Sequence, residues 1–449
     1  MRIHFISIGG SVMHQIALAL SEKGYAVTGS DDEIFEPARS NLAAAGLLPP
    51  QIGWYPDKIT KDIDAVILGM HARADNEELI AAQNAGIPVY SFPEYVYRES
   101  EDKLRVAVGG SHGKTTTTAM IMHVLRFASQ DFDYLVGARL EGFERSVKLT
   151  DAPVIVCEAD EYPASAVNRR PKFHFLFPRI AVITGIAWDH INIFTTFENY
   201  VEQFALFIEK IEEGGSLIYN ETDDTLLKLV KNCGRSDLNF IPYQLPEYRI
   251  DEGITEVKIG GEKSILHVFG NHNLLNLQAA LYVCRLLGVD DKTFATGIAS
   301  FSGAARRLEL LWQDEQSGVY RDFAHAPSKV KASIQAMKEQ FPQRKLVAVL
   351  ELHTYSSLDA NFMNEYRGAM ELADEAIVFY SSHALQLKRM KPLQPSVVME
   401  GFNKPGLNVV NSRADLEKLL SNPRNGSVNY LFMSSGSYDG MDILKTLSI

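Results

Sequence analysis

The sequence predicts an α/β protein of three successive sheet-and-helix units, and three observations predict it. Short apolar runs of strand length alternate with helical patterns along the chain. Two of these runs lead directly into a glycine turn and then a helix-like stretch, the order in which a parallel sheet presents an anion to a helix N-terminus. The 449 residues exceed one ordinary core and match about three domains of roughly 100 to 200 residues each. The expected boundaries are 1–104, 105–303 and 304–449.

Composition limits the function classes. A hydrophobic fraction of 46% and a charged fraction of 22%, without a low-complexity tract, fit a chain that folds throughout. The net charge of −12 argues against a general nucleic-acid surface and leaves room for a local phosphate pocket. The apolar opening Met1–Ile8 stops at Gly9-Gly10, too short for a secretory signal. No run approaches the roughly 18 apolar residues of a membrane helix. Cys157, Cys233 and Cys284 are widely spaced and lack zinc-type partners, so they read as buried thiols in a reducing cytoplasm.

In the first unit, strands are expected at Ile3–Ile8, Tyr25–Thr28, Ala65–Leu68 and Ile87–Tyr90, with a helix around Ile16–Leu20. The turn Gly9-Gly10-Ser11 is followed about twenty residues later by Ser30-Asp31, the usual distance from a phosphate turn to a ribose-binding acid. It is not a full G-x-G-x-x-G, so a plain tight turn is the competing reading.

The second unit opens with the strand Arg105–Val108, then Gly110-Ser111-His112-Gly113-Lys114-Thr115-Thr116, then a helix through Ala119–Leu125. Free backbone N–H groups and the helix dipole favour phosphate at such a turn. Lys114 can reach the outer phosphates, and the Thr115 hydroxyl suits Mg²⁺. The general P-loop pattern wants glycine at position 108, where Val108 stands; an ordinary glycine turn is the weaker alternative. ATP is the expected ligand. The strand Val154–Cys157 ends in Glu158-Ala159-Asp160-Glu161, which places carboxylates at the carboxyl edge of a parallel sheet, where α/β ligands and Mg²⁺ bind. Asp189-His190 follows the strand Ile180–Thr184; imidazole is a poor match for a hard cation, so taken alone His190 reads as structural. Asn273 and Asn276, three residues apart on one helix face, suit hydrogen bonds to a base, or serve as capping or buried amides.

The third unit begins near Ala304, with buried parallel strands expected at Val347–Leu350, Glu375–Phe379 and Tyr430–Met433.

Six motifs together resemble the Mur ligase family, the ATP-dependent ligases of peptidoglycan synthesis. They are Gly110–Thr115, Glu158–Glu161, Asp189-His190, His272–Asn276, Arg306-Arg307-Leu308 and Asp322-Phe323-Ala324-His325-Ala326-Pro327. They occur in the family's order across residues 110–327. The stretch from Ile3 through Gly9-Gly10 to Asp31 resembles its UDP-binding domain. Departures occur at Ser7 and Val12, where glycines are typical, at Gly185–Trp188 before Asp189, and at Ala326, where a second histidine is common. Ala205 stands where several members carry a modified lysine, which the alanine-adding type also lacks.

The resemblance implies three domains: an N-terminal Rossmann-like UDP-binding domain, a central P-loop ATPase-type domain and a C-terminal Rossmann-like domain. It implies ATP and Mg²⁺ as cofactors and UDP-N-acetylmuramate with a peptide or amino-acid acceptor as partners. Lys114, Glu158 and His190 would be catalytic, with Thr115, Glu158 and His190 holding metal. Residues 110–116, Asn273, Asn276, Arg307 and Asp322 would contact ATP, drawing two domains together. Gly9, Gly10, Ser11, Ser30, Asp31 and His71 would meet the UDP-sugar, and His325, Arg169 and Arg170 the acceptor. The likeness of Glu158–Tyr162, Asn168–Phe173 and Ala305–Leu310 implies the ligase that adds L-Ala-γ-D-Glu-meso-diaminopimelate in peptidoglycan recycling. Addition of L-alanine is the alternative, with an exposed basic loop as the competing reading of Arg169, Arg170 and Lys172. A folate-type ligase does not account for the first unit. A nucleotide-binding regulator without activity does not account for the intact motif set.

Overall fold

The computed structural model describes residues 1–70, 72–165, 167–188, 193–304 and 307–449. The chain divides into two compact units. The first comprises Met1–Ile186, Phe197–Gln244 and Ala279–Val289, the second Ala187–Thr196, Leu245–Gln278 and Asp290–Ile449.

The first unit contains two sheets. Strands β1 (Arg2–Ile6), β2 (Ala26–Ser30), β3 (Ala65–Leu68) and β4 (Val89–Ser91) form an all-parallel sheet in the order β2-β1-β3-β4. Helices α1 (Met13–Glu22), α2 (Ala38–Ala44), α3 (Glu77–Asn84) and α4 (Phe92–Arg98) alternate with them. The expected strand Ile3–Ile8 ends early, at Ile6, because Ser7 turns to φ 69, a left-handed conformation that glycine adopts more readily. The serine in place of the family's glycine therefore still makes the glycine-like turn.

The second sheet runs β11-β10-β9-β5-β8-β6-β7. Its strands are β5 (Leu104–Gly109), β6 (Asp133–Leu135), β7 (Val147–Lys148), β8 (Val154–Glu158), β9 (Ile180–Ile183), β10 (Ser216–Asn220) and β11 (Asn239–Tyr243). All pairs are parallel except β6 with β7. Helices α5 (Lys114–Phe127), α6 (Phe197–Glu209) and α7 (Asp224–Asn232) belong to it. After β5 the chain fills one flank, ending with β8 beside β5, and then the other from β9 outward, so the turn after β5 lies at the switch point, where α/β ligands bind. The turn after β1 has the same place in its own sheet.

Helix α6 buries Tyr200, Phe204, Phe207 and Ile208, an apolar stripe at helical spacing. Phe173 stacks on Phe207 with centroids 4.8 Å apart and meets Phe204 edge-on at 5.5 Å. Each such pair contributes about 0.5–1.5 kcal/mol beyond its buried area. This packing fixes Tyr200 and the segment that carries Lys172.

In the second unit an antiparallel sheet of β12 (Tyr248–Asp251), β13 (Ile254–Ile259) and β14 (Glu262–Leu266) precedes helices α8 (Asn271–Leu286) and α9 (Asp291–Ile298). A six-stranded sheet follows in the order β15-β16-β20-β17-β18-β19. It comprises β15 (Glu309–Gln313), β16 (Gly318–Asp322), β17 (Lys345–Leu352), β18 (Glu375–Tyr380), β19 (Asn408–Val410) and β20 (Val428–Met433), parallel except for β15. Helices α10 (Pro327–Gln340), α11 (Ser382–Leu387), α12 (Pro395–Phe402), α13 (Arg413–Leu420) and α14 (Ile443–Thr446) complete it. Its β17 is buried at every position but the first, as a strand covered on both faces requires.

Of the three cysteines, Cys157 and Cys284 are buried as expected, whereas Cys233 at the end of α7 is partly exposed. Among the described residues no helix is long and apolar enough to cross a membrane.

Candidate active site

The glycine turn after β5 is shaped by close backbone approach. Gly110 has φ 126, and a Cβ there would lie 2.1 Å from Thr184 Oγ1 and 2.8 Å from the Thr184 nitrogen. Ser111 N–H donates to Gly185 O at 2.9 Å, and the Thr184 hydroxyl donates to the His112 carbonyl. Gly113, at φ 84, starts α5, so Lys114, Thr115 and the buried Thr116 form its first turn. The N–H groups of that turn are the donors an anion needs.

Carboxylates from the end of β8 meet this turn. Thr115 Oγ1 donates to Glu158 Oε1 at 2.9 Å, and the Gly137 N–H to Glu158 Oε2 at 3.1 Å. Lys114 Nζ donates to Gly110 O at 2.6 Å and to Glu161 Oε2 at 2.8 Å. Burial pushes the Glu158 carboxyl above its ordinary range, against the pull of Lys114, the Gly137 N–H and the Thr115 hydroxyl. For Lys114, burial works against the ammonium, but Glu161, Asp160 and Glu158 outweigh it and raise its pKa. The hydroxyl of Thr115 beside a carboxylate is a hard-oxygen pair that fits Mg²⁺, an ion that takes one or two protein oxygens and fills its other positions with phosphate and water. Among the described residues no three His, Cys, Asp or Glu side chains group as a metal cage.

Glu158 and Asp160 line a small solvent-open cleft together with Lys172 and with Val12, Phe92 and Val96 of the first segment. Lys172 Nζ donates to Asp160 Oδ2 at 2.8 Å. Arg169 and Arg170 are exposed, and the Arg170 guanidinium lies 4.6 Å from the Phe175 ring centroid.

The turn after β1 is tied to the end of β2. Gly9 N–H donates to Asp31 Oδ2 at 2.7 Å, and the Ser7 and Ile8 N–H groups donate to Ser30 O at 2.9 and 3.1 Å. Lys58 Nζ donates to Ser30 Oγ at 3.0 Å. Gly10 is partly buried and Ser11 exposed. Burial raises Asp31 to about 6, although the Gly9 N–H favours its ionised form. His71, Asp189, His190 and Arg306 lie outside the described residues.

In the second unit Asp322 ends β16 and accepts from the N–H groups of Leu308 at 3.3 Å and Phe323 at 2.8 Å, and from the Ser333 hydroxyl. The Arg307 guanidinium lies 4.7 Å from the Phe323 ring centroid. His325 packs edge-on to the same ring at 5.4 Å, with its Nδ1 2.9 Å from Phe323 O. Arg307, Asp322 and His325 thus gather at one strand end. Asn273 and Asn276 are both buried, and the Asn273 amide donates to Phe269 O at 2.9 Å.

Sequence reasoning gave Glu161 no separate role and missed Tyr200 and Asp223. Tyr200 OH donates to Glu161 Oε1 at 3.3 Å. Asp223 accepts from Ile186 N at 2.7 Å, holding the loop after β9, and caps α7 through Leu226 N at 2.9 Å. Tyr200 reads in sequence as one more core aromatic, and Asp223 as a helix cap.

Comparison with known proteins identifies the family. The profile described as Mur ligase family, catalytic domain matches residues 2–101, and that described as Mur ligase middle domain matches residues 108–284. A UDP-N-acetylmuramate–L-alanine ligase of Sulfurihydrogenibium sp. is 30% identical over 434 residues, which is 94% of this chain and 92% of the relative. The solved UDP-N-acetylmuramate–alanine ligase of Thermotoga maritima shares the fold, with a TM-score of 0.67 at 23% identity over 100% of this chain and 97% of that one. The UDP-N-acetylmuramate:L-alanyl-γ-D-glutamyl-meso-diaminopimelate ligase of Neisseria meningitides has a TM-score of 0.60 at 27% identity, covering 67% of this chain and 98% of that one. The chain belongs to the Mur ligase family and is an ATP-dependent, ADP-forming ligase.

Proposed function

We propose that the protein joins L-Ala-γ-D-Glu-meso-diaminopimelate to the lactoyl carboxylate of UDP-N-acetylmuramate. The observation that carries the donor side is the single cleft in which Glu158, Asp160 and Lys172 of the second segment meet Val12 and Phe92 of the first. An acid attached to a sugar nucleotide held by the turn after β1 would reach the phosphate end of a nucleotide held by the turn after β5.

A carboxylate does not react with an amine at neutral pH. In the first step a carboxylate oxygen bonds to the γ-phosphorus of ATP, the bond from that phosphorus to the β,γ-bridging oxygen breaks, and ADP leaves. In the second the acceptor amine bonds to the acyl carbon, inorganic phosphate leaves, and the nitrogen loses a proton. Positioning and charge neutralisation are the protein's part. The turn of residues 110–116 cradles the phosphates, its Ser111 N–H already given to Gly185 O, and Lys114 contacts the outer ones. Thr115 and Glu158 would hold Mg²⁺, which would supply neutralisation of phosphate charge, and His190 is assigned there by its motif. Gly9, Gly10, Ser11, Ser30, Asp31 and His71 serve the UDP-sugar. Asn273, Asn276, Arg307 and Asp322 serve the nucleotide.

For the acceptor, the 27% identity to the Neisseria enzyme and the run Asn168–Phe173 support the tripeptide. Arg169, Arg170 and His325 are its assigned contacts. The second reading, L-alanine as acceptor, is favoured by the alanine ligase that is 30% identical over nearly its whole length. The test is phosphate release from ATP, Mg²⁺ and UDP-N-acetylmuramate with either acceptor at equal concentration. Faster release with the tripeptide is expected; preference for alanine refutes the first reading.

A further inference from the structure

The Lys114 ammonium has three N–H donors. One goes to Gly110 O at 2.6 Å and one to Glu161 Oε2 at 2.8 Å; the third has no partner among the described residues. The Glu161 side chain is wholly buried, whereas Lys114 keeps 13% of its side-chain surface exposed. The second Glu161 oxygen accepts from Tyr200 OH at 3.3 Å, and that same hydroxyl lies 2.8 Å from Ser111 Oγ. Ser111 adjoins Gly110, so the contacts close into a ring: Gly110, Lys114, Glu161, Tyr200, Ser111. Tyr200 is itself buried and set edge-on to Phe204 at 5.3 Å.

A lysine side chain is a flexible stem bearing a point charge, and one acceptor leaves its ammonium free to swing. Two acceptors in a buried ring remove that freedom and fix the direction of the remaining N–H. The glycine turn supplies one of them, and the other comes from a residue outside the turn.

We propose that Glu161, braced by Tyr200, is a positioning residue for phosphoryl transfer: it holds the Lys114 ammonium so that its remaining N–H meets the transferring phosphoryl group. A carboxylate in this place serves better than a neutral acceptor, because it also balances the charge of the ammonium it orients. The inference rests on the ATP-dependent ligase reaction and is indifferent to the acceptor.

The test uses full-length protein carrying Glu161→Gln, Glu161→Asp or Tyr200→Phe, read by kcat and KM for ATP in ADP release and by the Kd for MgADP in calorimetry. The acceptor is first chosen from wild-type rates, so an error in its assignment appears in the wild type, whereas the present inference is read from variant-to-wild-type ratios. The expected result for Glu161→Gln is a kcat at least about tenfold lower with MgADP affinity within about threefold of wild type. Glu161→Asp should recover part of the loss, and Tyr200→Phe should show a smaller loss of the same kind. A purely structural ion pair would lower kcat and MgADP affinity by one common factor, and that result overturns the proposal, as does a Glu161→Gln kcat within twofold of wild type. If Glu161→Gln does not fold, Tyr200→Phe decides: equal effects on kcat and MgADP affinity, or none, refute the inference.

Discussion

Removing Lys114 perturbs chemistry and stability at once, and the structure shows how to separate them. Lys114→Ala takes the Lys114 ammonium away from a Glu161 carboxylate whose side chain has no exposed surface. Removing one partner of a buried ion pair costs about 3–5 kcal/mol, most of it the desolvation of the charge left behind. The Tyr200 hydroxyl, at 3.3 Å, offsets part of that. Lys114→Ala should therefore unfold at markedly lower urea, and the double variant Lys114→Ala/Glu161→Gln should recover roughly 2 kcal/mol or more, because the amide carries no charge to desolvate. Activity should not recover: ADP release should fall at least about 10²-fold in both, the scale of losing one preorganised charge contact to a transition state. UDP-N-acetylmuramate binding, assigned to the turn after β1, should be nearly unchanged and serves as the control. Urea unfolding, coupled ADP release and calorimetry on the same preparations complete the cycle. Turnover of Lys114→Ala within tenfold of wild type would refute the role of Lys114, and a double variant no more stable than the single one would refute the buried-charge argument.

Gly110→Ala places a Cβ 2.1 Å from Thr184 Oγ1 and 2.8 Å from a backbone nitrogen that cannot rotate away; a cost of about 2–4 kcal/mol and loss of ADP binding are expected, and calorimetry with unchanged MgADP affinity would contradict this. Asp31 has a folded pKa of about 6, above its ordinary 3.8, so its contribution is most favourable below about pH 4 and is lost as pH rises through about 6. Asp31→Asn should thus gain stability relative to wild type between pH 5 and 7.5 in urea unfolding while weakening UDP-sugar binding; a pH-independent difference rejects the assignment. Glu158→Gln should raise the Mg²⁺ concentration needed for half-maximal ADP release, and an unshifted Mg²⁺ curve would exclude Glu158 as a ligand. Asp223→Ala removes the cap of α7, worth about 1 kcal/mol, along with the tether to Ile186; kcat should fall more than the melting temperature implies, and unchanged kcat removes Asp223 from the site.

Legibility from sequence followed contiguity. The turn 110–115 and the carboxylates 158–161 are each a single run, and the strands before them are apolar enough to place both at a sheet's carboxyl edge. The runs Ala65–Leu68, Glu375–Phe379 and Tyr430–Met433 likewise stand as strands. What was not legible lacks local signal. The strands β13 and β14 expose Ile254 and Ile265, which blurs their apolar–polar alternation, and β6 and β7 have only three and two residues. The ring around Lys114 joins residues 39 and 89 positions apart, through a tyrosine whose helical stripe accounts for its ring and leaves its hydroxyl unexplained.

Register makes the site possible. Strands β5 and β8 pair in parallel with Ala107 opposite Cys157 and Val108 opposite Glu158, so the carboxylate emerges level with the last residues before the glycine turn. Since successive strand residues face opposite sides of a sheet, a slip of one would turn Glu158 away from Thr115 and bring the Cys157 thiol toward it. The pairing resists such a slip because both strands are buried on both faces: Val106, Val108, Ile155 and Val156 are wholly enclosed, and Cys157 nearly so. Exchanging Glu158 and Cys157 would bury an unpaired charge at a cost of several kcal/mol. The apolar residues of β5 and β8, which touch no substrate, thereby set where Glu158 meets Thr115 and, two residues beyond Ala159, where Glu161 meets Lys114.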